Sequence, residues 1–184
     1  MSSKLTNRRY GQRGFTLTEM LIAVVVVLFG LVAVAQLVPT SVMLNSNNRN
    51  DGTALVFAQR EMEALREQPL TATTFSDPQG VTCPPSAYCS LGGPTSAGTL
   101  AGCSVVPNSF GAPIIDFSAT PVSGYSFTYL DLNDPLRAPY DVRWAVITIT
   151  KGSLVTGKRF IVGVFRPGME TPTLPITLDT MVEK

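Results

Sequence analysis

The chain has 184 residues, of which 14 are Lys or Arg, 13 are Asp or Glu, three are Cys and none is His. This length suits one domain of ordinary size with an appendage, and a net charge of +1 gives no general attraction to nucleic acid. Because His is absent, Ser-His and Cys-His nucleophile pairs, His-ligated zinc and an imidazole base are excluded. Charged residues make up 15% and hydrophobic residues 45%, so we expect part of the chain not to face water.

A basic segment precedes an apolar one at the amino terminus. Residues 1–14 contain no acidic residue and four basic ones, Lys4, Arg8, Arg9 and Arg13. From Met20 to Val38 no ionisable residue occurs. As a helix, residues 15–38 would be about 36 Å long, enough to cross a hydrocarbon core of about 30 Å. The positive-inside rule then places the basic segment in the cytoplasm and the rest of the chain across the membrane.

Two general interpretations fit this arrangement of charge and hydropathy. In one, residues 15–38 form an ordinary, uncleaved signal anchor. In the other, they belong to a secretory signal peptide with an A-x-A site at Ala33-Val34-Ala35, and cleavage leaves Gln36 as the first residue. The second interpretation predicts a secreted, soluble, β-rich binding domain.

A third interpretation rests on residues 13–19, which read Arg-Gly-Phe-Thr-Leu-Thr-Glu and lead directly into the apolar run. This string resembles the processing site of type IV prepilins. The resemblance implies that a prepilin peptidase cuts after Gly14 and that Phe15 becomes the N-methylated first residue. Gly14 has no side chain to obstruct an extended backbone in a narrow protease cleft. Cleavage before the apolar run retains the hydrophobic helix, which becomes the packing surface of a filament.

Glu19 is an acidic residue at the start of the apolar helix. An acidic or basic group costs about 2.5–3.5 kcal/mol at the centre of a membrane helix and less near its end, so such a residue suggests a function and a partner. The resemblance implies that this partner is the free α-amino group of Phe15 on a neighbouring subunit, which would set axial register. The alternative is that Glu19 lies at the lipid–water boundary and is hydrated.

The segment after the apolar run predicts a weak point and a second helix. Pro39 is expected to kink or break the first helix, and the polar residues 45–52 favour local side-chain bonds over helix. The sequence leaves open whether residues 15–67 form one continuous rod or two helices that share a flexible joint at 45–52. Residues 53–67 predict an amphipathic helix that Pro69 stops. Its apolar face is formed by Leu55, Ala58, Met62 and Leu65. Its charged residues fall largely off that face: Arg60, Glu61, Glu63 and Arg66.

The middle of the chain is rich in turns and contains all three cysteines. Residues 69–124 include eight Pro and seven Gly. Outside the cytoplasm, one disulfide can form among Cys83, Cys89 and Cys103, and one thiol is then left over. We favour a bond that uses Cys89 and leave its partner open. The remaining thiol is either buried or in contact with another subunit. A metal site is the weaker interpretation, because the chain has no His and no Cys-x-x-Cys pair.

The carboxy-terminal part predicts an antiparallel sheet. Alternation indicates strands near 124–132, 140–150 and 158–165, and the last two form a hairpin with Gly152 and Gly157 in its connection. One face of the middle strand carries Tyr140, Val142, Trp144, Val146 and Thr148. The amphipathic helix supplies a matching apolar stripe for one face of this sheet. We therefore predict an α+β, pilin-like fold.

The predicted organisation has four parts. A basic leader covers residues 1–14, a transmembrane or filament-core helix 15–38, a helical continuation with its weak point 39–68, and an extracytoplasmic head 69–184. Within the head we expect three regions: a loop-rich stretch at 69–123, antiparallel strands at 124–166 and a tail at 167–184.

Looser matches indicate a branch of the prepilin-like proteins. Residues 28–32, 58–70, 142–146 and 158–162 are similar to minor pilins of the PilV type and to I-type minor pseudopilins of type II secretion. Major pilins often carry a Pro within the apolar helix, whereas here the nearest, Pro39, lies towards its end. The resemblance implies a scarce structural subunit, without catalysis or a cofactor, that helps to start or cap a filament.

The implied partners are the prepilin peptidase, other pilin or pseudopilin subunits, an inner-membrane assembly platform and the bacterial inner membrane. The implied location is that membrane, crossed once with a cytoplasmic amino terminus, and then a periplasmic or cell-surface filament. A nucleic-acid partner is not expected, because no basic-aromatic platform is visible. A membrane-anchored enzyme ranks third, after the secreted binding domain, because no nucleophile–base pair is visible.

The charges of the head divide along the chain. No Lys or Arg occurs from residue 67 to 136, whereas residues 137–166 contain six basic residues and one acidic residue, Asp141. We hypothesise that this basic hairpin, through Arg143, Lys158 and Arg159, meets acidic loops on an adjacent subunit. The alternative is that these are solvated charges that prevent pairing of the sheet edge.

Overall fold

The structure is a computed structural model that describes residues 14–77, 80, 82–84, 88–132, 137–168 and 175–183. The predicted leader charges Lys4, Arg8, Arg9 and Arg13 lie outside the described residues. The chain divides into two compact units, and the boundary lies between Asn45 and Ser46. We call them the amino-terminal unit and the carboxy-terminal unit.

One long helix, α1, runs from Leu17 to Glu67. Pro39 lies inside it and does not end it, so the expected break is wrong. A proline removes only one N–H donor, and helices continue where neighbouring groups compensate. Next to Pro39, the hydroxyls of Thr40 and Ser41 donate to carbonyls four residues earlier, at 2.9 and 2.8 Å. The polar stretch 45–52 is also helical, and α1 ends before Pro69, as predicted.

Within the described residues, nine strands follow the helix, and several of them are very short. They are β1 Thr74–Phe75, β2 Cys89–Ser90, β3 Leu100–Gly102, β4 Val105–Pro107, β5 Pro113–Ile115, β6 Ser126–Leu130, β7 Pro139–Lys151, β8 Leu154–Phe165 and β9 Ile176–Glu183. A single turn of 3-10 helix covers Pro94–Ser96. Strands β6, β7 and β8 correspond to the three predicted strands, and β9 lies in the segment that the sequence predicted as a tail.

The main sheet has five antiparallel strands in the order β3-β7-β8-β9, with β6 also pairing with β7. The α+β fold is therefore confirmed. The connection between β7 and β8 is residues 152–153, and Gly152 adopts a φ of 65° that suits a tight turn. The prediction that Gly157 lies in the connection is wrong. Gly157 belongs to β8 and pairs with Ile149 and Glu183. A Cβ atom at Gly157 would lie 3.2 Å from the carbonyl oxygen of Val182, which explains a glycine within a strand.

The carboxy-terminal end of α1 packs on one face of this sheet. The face of β7 that carries Tyr140, Val142, Trp144, Val146 and Thr148 is the one turned to the helix, and all five residues are buried. Helix residues Ala54, Phe57, Ala58, Met62 and Leu65 complete the same core. Two details of the predicted helix face are wrong. Leu55 is 38% exposed, whereas Glu61, which was placed off the face, is only 4% exposed.

A small hairpin covers part of the opposite face of the sheet. Strands β4 and β5 pair with each other, and Ile115 of β5 packs with Cys103, Ala145 and Ile161 in a second buried cluster. A Cβ atom at Gly163 of β8 would lie 2.7 Å from the Cβ of Ile115, so only glycine lets the hairpin approach this closely. Part of each face of the sheet is therefore buried, whereas the sequence predicted burial of one face.

Candidate processing and assembly site

The predicted cleavage site lies immediately before α1. Residues 14–16 are not helical, and apart from its chain neighbours no described residue has an atom within 4 Å of the position that a Cβ of Gly14 would take. Thr16 caps the helix: its carbonyl accepts from the backbone N–H of Glu19 and Met20 at 3.1 and 3.2 Å, and its hydroxyl accepts from Glu19 at 3.3 Å. The bond between Gly14 and Phe15 therefore belongs to exposed, non-helical backbone, which is what a peptidase requires.

Glu19 lies in the first turn of α1, three residues after its cap. A carboxylate at this position interacts favourably with the positive end of the helix dipole. Its side chain is exposed, as is that of Phe15 at 81%. Within the described part of the chain no basic side chain forms a salt bridge with Glu19. The carboxylate is therefore available to a group from outside the chain.

The amino-terminal unit leaves its apolar side chains open. All the helix residues from 17 to 45 are exposed, including Leu28 at 55% and Phe29 at 74%. By length and composition alone, α1 includes a stretch that could cross a membrane. Exposed apolar surface of this extent marks a contact with lipid or with other proteins. It is the surface that a retained anchor would need.

The disulfide of the carboxy-terminal unit joins Cys83 to Cys89, with a Cα–Cα distance of 5.1 Å. This is one of the two pairings that use Cys89, which the sequence favoured without choosing between them. Cys103 is free and only 1% exposed, and its thiol donates to the carbonyl of Tyr125 at 3.4 Å. Burial raises the pKa of the Cys103 thiol, so the thiol stays protonated and unreactive.

Two of the three basic residues proposed to meet another subunit are used inside the chain. Lys158 is 1% exposed, and its ammonium group donates to the carbonyls of Ala72 and Gly92 at 2.5 and 3.5 Å. Arg143 is 6% exposed, pairs with Asp141 at 2.7 Å and donates to the carbonyl of Ala119. The hypothesis is therefore corrected for both residues, because a buried cation presents no charge to a neighbour.

Arg159 differs from those two residues. It forms an ion pair with Asp179 of β9, and its side chain remains 39% exposed. The Asp179 carboxylate already binds its guanidinium group, although the Arg159 side chain stays partly accessible to solvent. Contact of Arg159 with a neighbouring subunit remains a prediction.

A buried pair of acids was missed from the sequence. Glu61 of α1 and Asp77, which follows β1, are 4% and 6% exposed and their side chains form a hydrogen bond. Burial, followed by the charge of Asp77, raises the pKa of Glu61 to about 8, so one of the two acids carries a proton at neutral pH. The Oε1 atom of Glu61 is buried without a hydrogen-bond partner among the described residues.

The spacing of Glu61 could have revealed this burial. Ala54, Ala58, Glu61 and Leu65 follow one another at intervals of three or four residues, which places Glu61 on the buried stripe of the helix. The pair does not by itself form a metal site. The described residues contain no group of three or more Cys, Asp or Glu that could hold a metal ion.

Comparison with known proteins gives one match, and it covers the processing site. Residues 9–35 match the family model described as the prokaryotic N-terminal methylation motif. No curated protein matches the chain, and neither does any solved structure. The motif implies processing by a prepilin peptidase and assembly with other pilin subunits, and its family is structural rather than catalytic. Together with the long apolar helix and the antiparallel sheet that packs on it, the match supports a type IV pilin-like protein anchored in the inner membrane.

Proposed function

We propose that this chain is a minor pilin or minor pseudopilin, cut between Gly14 and Phe15 and methylated on Phe15, that helps to start or cap a filament. The filament is a type IV pilus or the corresponding filament of a type II secretion system. The observation that carries the proposal is the match of residues 9–35 to the N-terminal methylation motif, which supports a cut before the apolar helix. The open apolar surface of the amino-terminal unit supports it.

In this proposal, the membrane-spanning helix leaves lipid and packs among the helices of other subunits. Little hydrophobic free energy is gained, because both surroundings are apolar. The assembly platform must therefore supply the work, and polar contacts must supply the specificity. The Glu19 carboxylate, exposed at the start of α1, pairs with the amino group of Phe15 on an adjacent subunit, so that both charges leave water together.

Mass spectrometry of the mature amino terminus tests the processing step. An N-methylated Phe15 supports a pilin, Gln36 identifies a secreted domain released after Ala35, and an intact Met1 identifies an ordinary anchor. The three results exclude one another, because each corresponds to a different first residue.

A substitution of Glu19 tests the assembly step. In Glu19→Ala we expect normal leader cleavage and loss of the chain from sheared filaments, measured by immunoblot of the membrane and filament fractions. Glu63→Ala, which removes an exposed carboxylate elsewhere on α1, is the matched control and should leave incorporation unchanged. Normal incorporation of Glu19→Ala would contradict the proposed pairing.

A further inference from the structure

We propose that a cleft beside β6 binds an extended peptide segment of a different protein, which adds to the main sheet as one more strand. The cleft has a volume of about 640 Å³, within the usual range of ligand sites in proteins. Its lining includes residues 126–128 of β6, Asp141 of β7, and Thr82, Pro84 and Ser123 from two loops. It belongs entirely to the carboxy-terminal unit.

The cleft passes around the edge of β6 that faces away from β7. Cys83, which lies between Thr82 and Pro84, is part of the core on the helix side of the sheet. Asp141 alternates with the helix-facing Tyr140 and Val142 and so lies on the opposite face. A cleft that reaches both sides borders the free edge of β6, which pairs with no other strand than β7 among the described residues.

The register shows which backbone groups of β6 point into this edge. The N–H of Trp144 in β7 donates to the carbonyl of Tyr125, directly before β6, at 3.0 Å. Because bonded and unbonded pairs alternate in an antiparallel ladder, the odd-numbered residues of β6 bond to β7. The N–H and C=O groups of Ser126, Thr128 and Leu130 therefore point away from β7. They have no hydrogen-bond partner within the described ranges.

An extended backbone is the ligand that matches such an edge. Its alternating N–H and C=O groups can bond those of Ser126 and Thr128, and these main-chain bonds require no particular ligand sequence. The walls of the cleft are already in place before a ligand binds. The hydroxyl of Ser123 donates to the carbonyl of Pro84 at 3.0 Å, and the disulfide at Cys83 holds the same loop. A preformed site of this kind lowers the entropy cost of binding.

Asp141 gives the cleft a preference for a cationic side chain. Its Oδ2 atom accepts from Nε and Nη2 of Arg143 at 3.0 and 2.7 Å, whereas its Oδ1 atom has no hydrogen-bond partner among the described residues. Asp141 lies opposite Thr128 and is 22% exposed. A ligand residue on the other side of Thr128 would be two strand spacings away, about 10 Å, which a lysine side chain can largely bridge. Because Arg143 already balances the charge of Asp141, this preference should be modest.

The occupant is assigned to a different protein because the chain has no described strand of its own to place there. β9 lies at the opposite edge of the main sheet, beyond β8. β6 has only five residues, so it suits a short, flexible segment of a partner. A contact of this kind engages one partner and does not repeat from copy to copy, as a subunit that starts or caps a filament requires. Only the identification of this partner as a filament subunit rests on the proposed function.

Binding of synthetic peptides to the full chain in detergent tests the proposal. The probe is a labelled, end-blocked heptapeptide, Thr-Val-Thr-Lys-Thr-Val-Thr, and fluorescence polarisation measures its affinity. Two further peptides carry N-methyl groups on alternate sets of amides. Methylation of the set that includes Lys should weaken binding at least about tenfold, because these N–H groups face β6, and methylation of the other set should change it less than about threefold. Equal effects of the two sets would contradict strand addition.

Two substitutions at Thr128 form a matched pair. Both Thr128→Pro and Thr128→Ala remove the hydroxyl, but only proline removes the outward N–H, which makes no bond to β7. We expect Thr128→Pro to weaken probe binding at least about tenfold and Thr128→Ala less than about threefold. Equal affinities in the two variants would overturn the proposal. Unfolding followed by the fluorescence of Trp144 checks that both variants are folded, and the methylated peptides decide the question if Thr128→Pro is not.

The preference for a cation has its own test. A probe with Glu in place of Lys should bind several-fold more weakly in low salt, and high salt should reduce the difference. Equal binding of the Lys and Glu probes in low salt would contradict the role of Asp141.

Other outcomes identify a different occupant or none. No binding of the probe at about 5 mM would overturn the proposal. Self-association of the chain that the probe reverses would identify a second copy as the occupant and contradict the assignment to a different protein. The mature amino terminus is analysed in the same preparation. A methylated Phe15 without probe binding refutes the peptide cleft alone, whereas an uncut Met1 or a terminal Gln36 refutes the proposed function and leaves the peptide result unaffected.

Discussion

The two ends of α1 belong to one helix and differ completely in how their apolar side chains are covered. Before Asn45, large residues such as Leu28 and Phe29 are more than half exposed. After Ser46, Phe57, Met62 and Leu65 are buried against the sheet. The carboxy-terminal end therefore completes a core within its own chain, whereas the amino-terminal end must find its partners outside it.

The largest expected effect comes from matched leucines on the two ends of α1. Leu65 is 1% exposed and Leu28 is 55% exposed. Leu65→Ala should lower the free energy of unfolding of the carboxy-terminal unit by about 2–5 kcal/mol, because it removes buried methyl groups and leaves a cavity. Leu28→Ala should change it by less than about 0.5 kcal/mol. Denaturation of the full chain in detergent, followed by the fluorescence of Trp144, measures both.

Equal losses in the two leucine variants would break the comparison. They would mean that the exposed surface before Asn45 contributes to the stability of the carboxy-terminal unit. Membrane retention of Leu28→Ala, measured in the same preparations, confirms that this variant is produced and inserted.

An intermediate effect is expected for the buried acid pair. The pKa of Glu61 in the folded chain, about 8, lies above its ordinary value of 4.5, so the folded state keeps a proton that the unfolded state releases. The stabilisation from this group is complete below pH 4.5 and is lost as the pH rises towards 8. The slope is at most about 1.4 kcal/mol per pH unit. Glu61→Gln cannot release a proton and should remove this slope.

Urea denaturation at several values of pH measures the slope, and the difference between variant and parent isolates the one group. Glu63→Gln changes an exposed carboxylate two positions further along the same helix and should leave the slope unchanged. If Glu61→Gln and the parent lose stability in parallel between pH 5 and pH 8, Glu61 does not hold the proton.

Features that depend on residues close together along the chain were predictable from the sequence. The motif that matches residues 9–35 could be recognised from consecutive residues, and the alternation of Tyr140, Val142 and Trp144 placed these three buried residues on one face of β7. These signals depend only on neighbours along the chain, and the period of a strand or helix then fixes which side is buried.

Features that depend on distant partners were not predictable in this way. Lys158 was expected on the surface because lysine is rarely buried, but carbonyls from two separate loops, at Ala72 and Gly92, converge on its ammonium group. Glu61 is buried for a similar reason, since Asp77 reaches it after the turn that follows α1. Strand β9 was predicted as a tail; it contains no fully buried residue, and among the described residues it pairs only with β8.

The smallest effect on stability is expected at β9, the strand at the edge of the main sheet. Arg159 of β8 bonds Asp179 of β9 with its Nε atom at 2.9 Å, and both side chains remain about one-third exposed. Arg159→Gln should lower the free energy of unfolding by about 0.2–1 kcal/mol, since solvent and salt screen such a pair, and the loss should shrink in high salt. Arg143→Gln, which breaks the buried pair with Asp141, should lower it several-fold more. Salt-dependent urea denaturation distinguishes the two variants. Equal, salt-independent losses would mean that β9 is as firmly integrated as the interior strands and would remove the reason to treat it as an open edge.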